Sequence, residues 1–439
     1  MVVPFFLGLQ HEGLSFFTNC LKEGIGMKRV LPLWTLLVVL ILSVFLTDVV
    51  AAQTADRLSV TGQIRQRTEY SAKDFNADID DPLFSFLRTR VNVGVRANDD
   101  VKAFVQFQDS RVWGQENSTL DGNAPLFDVH QAFFTVNNVF DSGFNAKVGR
   151  QEINVGNQRL VGAVGWHNVG RTFDAARFMY EAEKGSLDIF AARLVGSTGT
   201  PDGDNLFGAV GTYPLADGQR VEALVLFDNS TFPVAAGPDV DENMLSRVTA
   251  GVAAYGKESG FDYELEAYYQ MGDAFDGGTG ELGSIAAYLA SAKVGYLVDE
   301  EKGMRVGGLF TIVSGDDDAG DGDINNFNTL FASNHKFYGF MDYFIGAGSF
   351  ARGLQDIGLS FGMKANDQTS VSLDLHNFTA PQAPSGFDNA LGQEIDFTVN
   401  HKYNSALTLV VGLSAFMPGD DFGGEDTAFW GYLSSIVNF

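Results

Sequence analysis

The stretch Leu407-Thr408-Leu409-Val410-Val411-Gly412-Leu413-Ser414-Ala415-Phe416-Met417 decides the fold. Leu407, Leu409, Val411, Leu413, Ala415 and Met417 share one face, while Thr408, Gly412 and Ser414 occupy the other. That period of two belongs to a half-buried strand rather than to a helix. Tyr263, Leu265, Ala267 and Tyr269 alternate in the same way with Asp262, Glu264, Glu266 and Gln270. Alternation alone fits a soluble sandwich as well as a membrane barrel, so the connections between strands must choose.

Working outward, the same pattern marks eighteen strands, near 57–70, 83–97, 101–113, 127–137, 144–152, 173–182, 186–196, 205–213, 219–228, 245–257, 261–271, 284–298, 303–314, 353–364, 368–378, 391–403, 406–417 and 427–439. Every second connection is tight, as at Asn98-Asp99-Asp100, Glu183-Lys184-Gly185, Glu258-Ser259-Gly260, Asp299-Glu300-Glu301 and Ala365-Asn366-Asp367. The intervening ones are long, including 71–82, 114–126, 153–172, 229–244 and 315–352. An even-stranded meander with short turns at one end and long loops at the other is what a membrane barrel requires, because the bilayer satisfies no open sheet edge. The expected fold class is all-β: a transmembrane antiparallel β-barrel of about 18 strands with up-and-down topology. Its place is the outer membrane, with both termini periplasmic. Phe429, Leu433, Val437 and the terminal Phe439 fall on one face of the last strand, similar to the C-terminal signal of outer-membrane proteins. Trp113, Phe127, Tyr296 and Trp430 suit aromatic girdles at the membrane interfaces.

The 439 residues carry 29 Lys+Arg against 55 Asp+Glu, a net charge of −26, which speaks against a nucleic-acid partner. Met27-Lys28-Arg29 opens a charged n-region, Leu31 to Leu46 is apolar, and Val50-Ala51-Ala52 supplies small residues before Gln53. Residues 27–52 therefore read as a secretory signal peptide, 1–26 as a leader from a mistranslated upstream start, and 53–439 as the barrel. The one cysteine, Cys20, lies in that leader, so neither disulfides nor thiolate chemistry are expected of the mature chain.

In a membrane barrel the apolar parity faces lipid and the polar parity faces the lumen. On the first strand Val60, Gly62 and Ile64 point out, placing Gln63, Arg65, Arg67 and Glu69 inside. On the second Leu87, Val91, Val93 and Val95 point out, placing Arg88, Arg90, Asn92 and Arg96 inside. Lys102, Gln106 and Gln108 follow on the third strand, Lys147 on the fifth, and Arg177 with Glu181 on the sixth. Parity is ambiguous for Arg111, Arg150, Glu152 and Arg193; Arg111, Arg150 and Glu152 are carried as pore-lining candidates, together with Asp128, His130, Arg159 and Arg171. Residues 53–200 hold 16 Lys+Arg against 18 Asp+Glu, and residues from 201 onward hold 10 against 34. The opposite wall is accordingly acidic: Glu264, Glu266, Asp356, Asp374, Glu394 and Asp396. These charges either solvate the lumen and pair with neighbours or form a transverse field. Adjacent Arg65, Arg67, Arg88 and Arg90 repel one another, which calls for interleaved carboxylates or an anionic ligand held by guanidinium forks.

Phe86-Leu87-Arg88-Thr89-Arg90, Gln108-Asp109-Ser110-Arg111-Val112-Trp113-Gly114, Asp128-Val129-His130-Gln131-Ala132-Phe133, Val148-Gly149-Arg150-Gln151-Glu152, Asn157-Gln158-Arg159-Leu160-Val161-Gly162 and Gly170-Arg171-Thr172-Phe173-Asp174 together resemble the alginate-export family of outer-membrane porins. Phe337-Tyr338-Gly339-Phe340-Met341-Asp342-Tyr343 is similar to a further segment of that family. The resemblance implies passive export of an acidic uronate polysaccharide through an Arg-rich pore, fed by a periplasmic assembly. Each sugar carries a carboxylate, a staggered row of Arg offers exchangeable bidentate partners, and carboxylates such as Glu69 keep binding weak enough for release.

Other chemistry finds less support. Asp128 and His130 share a strand face, but no Gly-x-Ser-x-Gly or His-Glu-x-x-His motif accompanies them, and no catalysis or cofactor is expected. Asp316, Asp318, Asp321 and Asp323 could bind calcium, yet Phe327 stands where a helix-loop-helix site has its Glu, and a solvated loop is the simpler expectation. Loop 153–172 has two placements open, folded inward to narrow the pore or lying at the surface. The leading expectation is a channel for anionic saccharide or uronate polysaccharide. A general diffusion porin with a transverse field is the alternative; a barrel enzyme is the less supported third.

Overall fold

The computed structural model describes residues 57–76, 82–115, 127–196, 203–230, 245–276, 281–318, 320–345, 350–382, 388–420 and 422–439. The leader and signal-peptide segments lie outside the described residues. The chain separates into two units, Met1–Leu58 and Ser59–Phe439. In chain order the strands are β1 Leu58–Ala72, β2 Leu83–Arg96, β3 Val101–Val112, β4 Phe127–Val136, β5 Phe144–Gln151, β6 Phe173–Ala182, β7 Gly185–Gly196, β8 Gly203–Ala216, β9 Gln219–Ser230, β10 Leu245–Glu258, β11 Phe261–Phe275, β12 Leu282–Asp299, β13 Met304–Val313, the two-residue β14 Asp323–Ile324, β15 Leu354–Asn366, β16 Thr369–Thr379, β17 Ala390–Lys402, β18 Leu407–Pro418 and β19 Ala428–Asn438. All except β14 form a closed antiparallel barrel of eighteen strands, each paired with its sequence neighbour, and β1 joins β19 from Gln63↔Asn438 to Ala72↔Phe429. β14 instead pairs parallel with β12, through Ser284↔Asp323 and Ile285↔Ile324.

Closure follows from the alternation. Val60 is 59% exposed and Ile64 39%, while Arg65, Arg67 and Glu69, on the other parity just beyond them, are buried. Leu265, Tyr269 and Met271 likewise face out from β11, and Glu266, Tyr268 and Gln270 face in. A belt of exposed Phe, Tyr, Leu and Val around the whole wall is tolerable only in lipid. The strands match the sequence expectation to within a few residues. β11 runs on to Phe275 because Gly272, at φ +123°, lets the chain pass Ser246, whose carbonyl oxygen would lie 2.0 Å from a Cβ.

Two of the long loops do not lie at the surface. Residues 152–172 and the segment around 325–345 turn into the barrel and pair with each other: Val161 bridges Phe331, Phe331 N donates to Leu160 O at 2.8 Å, and Gly162 N donates to Phe331 O at 2.8 Å. Of the two placements open for 153–172, the structure takes the inward one. Ile153, Leu160, Val161, Phe327, Tyr338 and Met341 form the centre of an apolar core inside the barrel, where a water-filled lumen would otherwise stand. Burying these side chains offsets the entropy of ordering two long loops.

Candidate pore constriction

The inner faces of β1 and β2 supply the arginines, and loop 152–172 supplies most of their acceptors. Arg65 donates to the carbonyls of Gly165 (2.8 Å), Trp166 (3.0 Å) and His167 (3.0 Å). Arg88 donates to Gly165 O and His167 O, each at 3.2 Å, and to Gln63 Oε1 at 2.9 Å. Arg67 pairs with Glu69 at 2.5 Å, donates to Trp166 O at 2.7 Å and lies 3.8 Å from the Trp166 ring centre. Arg90 holds Gln108, Glu152 and Val169 O. His130 Nε2 lies 3.0 Å from Arg90 Nη2 and 3.1 Å from Glu152 Oε1. The crowding of four cations is thus relieved at its ends by Glu69 and Glu152 and in the middle by neutral carbonyls. Arg65 and Arg88 have no carboxylate partner among the described residues, and the buried Nε of each has no acceptor. Arg177, Arg247 and Arg305, by contrast, each pair with an aspartate: Asp188, Asp228 and Asp262.

The acidic wall holds the loops from the other side. Arg159 reaches Glu266 at 3.0 Å and Ser291 Oγ at 3.0 Å, fully enclosed. Burial opposes the charge on Arg159, the Glu266 carboxylate favours it, and the balance lies above the ordinary range. Asn157 Nδ2 approaches Glu264 at 3.5 Å. Met341 N donates to Glu394 at 2.8 Å, and Phe340 N donates to Asp396 at 3.3 Å. Asp356 accepts from His376 at 3.0 Å, and Asp374 stands opposite Asp396 in the ladder. Both charged walls are thus engaged by the inward loops, the basic one through backbone carbonyls and the acidic one through Arg159, Asn157 and the N–H groups of Phe340 and Met341.

Arg171 ties the two loops together through Gly162 O, Phe331 O and Ala332 O. Between them and β1–β2 a cavity of about 440 Å³ remains, lined by Arg67, Trp166, His167, Arg171, His335 and Asp342 among others. Trp166 is stacked on His335 at 4.3 Å, and His335 Nδ1 lies 2.7 Å from Asp342. Burial and the neighbouring Arg67, Arg65 and Arg171 hold the His167 imidazole below its ordinary range.

The remaining expected pore residues divide. Lys147 and Arg177 face each other on the inner wall, Lys147 lying 3.9 Å from the Phe133 ring centre. Asp128 stands on the inward row beside Gln108. Arg96 and Lys102 pair in register at the tight-turn end, away from both loops. Arg111 and Arg150 are corrections: the register puts Arg111 opposite outward Leu87, and Arg150 opposite Ala132, itself opposite outward Val105. Arg150 stands three residues from inward Lys147 and beside buried Gln151, so alternation along β5 turns it out, while Arg111 keeps the outward parity of Asp109, with which it pairs. Trp430 is corrected the other way: it is buried inside, donating to Glu69 at 3.2 Å, rather than sitting in a girdle. In loop 316–323 the carboxylates of Asp316, Asp318 and Asp321 accept backbone N–H groups of their own turns, and no three potential metal ligands converge among the described residues. His335, His376, Asp342 and Lys73 were not legible as site residues, because each acquires its role from a distant partner; Lys73 Nζ, for example, donates to Met341 O at 2.8 Å.

A family profile described as "Alginate export" matches residues 56–433. A search of curated proteins returns no match. Among solved structures the chain is similar to OccAB1 of Acinetobacter baumannii (13% identity, 87% of this chain and 96% of that one, TM-score 0.59). It is also similar to OccK8 (OprE) of Pseudomonas aeruginosa (12%, 88% and 98%, TM-score 0.58) and to OpdK of the same organism, solved with vanillate (11%, 87% and 98%, TM-score 0.54).

Proposed function

The chain belongs to the alginate export family and forms an outer-membrane channel, and from that premise we propose that it passes an anionic saccharide or uronate polysaccharide, without catalysis. The observation that carries this reading is the chemistry around Arg65 and Arg88. Both guanidinium groups rest on neutral carbonyls of an inward loop, while Arg177, Arg247 and Arg305 on the same inner wall are held by aspartates. A carboxylate adds to such a bond its own negative charge and a bidentate fit to the guanidinium fork, neither of which a neutral carbonyl supplies. A uronate entering the 440 Å³ cavity would therefore displace the loop carbonyls and draw 163–168 away from the arginines. Glu69 and Glu152 beside the cluster compete for the same donors and keep each contact short-lived.

The termini and tight turns are assigned to the periplasmic side, where an export assembly would dock. Asp128 and His130 are pore hydrogen-bonding groups. A second reading, a porin for small carboxylates, is favoured by the likeness in fold to OpdK, whose structure contains vanillate. Planar-bilayer recording separates the two. Oligogalacturonate is expected to block the wild-type current at micromolar to millimolar concentration and to lose at least tenfold in potency in R65Q/R88Q, while a neutral oligosaccharide of equal length does nothing. Block by vanillate alone, with oligouronate inert, would favour the small-solute porin. Equal block of wild type and variant would sink the arginine mechanism.

A further inference from the structure

The 440 Å³ cavity has a second polar wall, and this one is neutral. The segment that supplies it, Ile324 to Met341, runs for eighteen residues without an Asp or Glu and holds four asparagines. It does so in the part of the chain where acidic residues outnumber basic ones 34 to 10. Asn326, Asn328, Thr329 and Asn334 of this segment line the cavity, together with Arg67 and Arg171. The two carboxylates in the lining are already engaged, Glu69 with Arg67 and Asp342 with His335.

Asn328 is held from behind. Gln270, fully buried on β11, donates to Asn328 O at 2.7 Å and accepts from Asn328 N at 2.9 Å, a two-point clasp on the backbone. β11 is the eleventh strand of the ring and stands across the barrel from β1, which carries Arg67. Asn328 Oδ1 accepts from Leu330 N at 2.7 Å, a bond that also fixes which end of the carboxamide is oxygen. Its NH2 group has no acceptor, and the Asn326 carboxamide no partner, among the described residues. Asn334 Nδ2 donates to Thr329 Oγ1 at 2.9 Å, which leaves the Thr329 hydroxyl proton to be donated elsewhere.

We propose that this wall reads hydroxyl groups: a uronate in the cavity turns its carboxylate to the guanidinium groups and its ring hydroxyls to Asn326, Asn328 and Thr329. The assignment rests on the preceding reading of the channel as a saccharide path, and it adds what separates a sugar acid from other small carboxylates. A hydroxyl oxygen accepts from a carboxamide N–H, and a hydroxyl proton suits the Asn326 carbonyl oxygen. An acidic side chain in these positions would instead repel the ligand carboxylate and compete for the arginines. A carboxylate without hydroxyls strips water from the same amides and gives them nothing in return, which is how a hydrogen-bonding site rejects an analogue lacking the matching group. The cavity volume falls in the range of small-ligand pockets.

Planar-bilayer recording of the full chain with two blockers tests this. Trigalacturonate and tricarballylate carry the same number of carboxylates, but only the first has hydroxyls. The variant is N326A/N328S, which removes both NH2 groups and keeps an oxygen for the Leu330 N–H; heat-modifiable gel migration confirms that it is folded. Trigalacturonate is expected to lose about fivefold or more in potency against the variant, while block by tricarballylate is unchanged. R65Q/R88Q should weaken both blockers together. Equal block of wild type and N326A/N328S by trigalacturonate overturns the hydroxyl-reading wall and leaves the arginine reading standing. A parallel loss of tricarballylate block overturns it too, since the change would then lie in the pore at large. Retained block in R65Q/R88Q with loss in N326A/N328S sinks the arginine mechanism alone, and no block of wild type by trigalacturonate sinks both.

Discussion

Arg159 and His167 each tie the stability of the inward loop to a single side chain. Arg159 places its charge beside Glu266 in a fully enclosed site, and removing one partner of such a pair leaves the other charged and unsolvated. R159M is therefore expected to destabilise the inward loop by about 3 kcal/mol, and R159M/E266Q to recover most of that loss. Hydrogen exchange of the 153–172 amides checks both. His167 gives a pH dependence. Its folded value is held below the ordinary one of about 6.5 by burial and by Arg67, Arg65 and Arg171. A lowered folded value means that the contribution is complete above about pH 6.5 and is lost as pH falls from there. Exchange of the loop amides, and channel noise, should rise between pH 7.5 and 5.5 in wild type. H167Q should respond less; an identical response would assign the effect to other groups.

At the scale of the element, a strand here answers to two solvents. Leu265 of β11 faces lipid, while its neighbours Glu264 and Glu266 face the lumen. L265R is expected to cost about 2–4 kcal/mol, and E264Q to stay within about 0.5 kcal/mol of wild type. Urea unfolding from lipid vesicles measures both, and equal costs would contradict the assigned parity. The same alternation explains where expectation and structure part. Parity read along β1 and β2 places Arg65, Arg67, Arg88 and Arg90 correctly inside. Near the loop base it leaves Arg150 ambiguous, although alternation along β5 from inward Lys147 already puts that residue on the lipid side. Trp430 was legible, since it lies one residue from outward Phe429, but its aromatic character suggested the membrane interface instead.

For the whole molecule, closure depends on the seam between β1 and β19. Gly62 and Phe439 exchange backbone hydrogen bonds at 2.7 and 3.0 Å, and the Phe439 ring covers Gly62 so closely that a Cβ there would lie 2.4 Å from it. F439A is expected to lose about 1–2 kcal/mol of stability, and G62V to lower the folded fraction more, both measured by heat-modifiable migration. Barrel, strand count and the inner arginine cluster were all legible in the chain, because period-two alternation is a local consequence of a strand lying between lipid and lumen. The two inward loops and the partners they give to both charged walls were not. Arg65 meets its acceptors 100 residues away, Arg159 meets Glu266 across 107, and Lys336 meets Asn157 across 179. Such contacts leave no periodic trace in sequence. They exist only once the closed wall has brought both loop bases to one rim and left an interior that apolar side chains can fill.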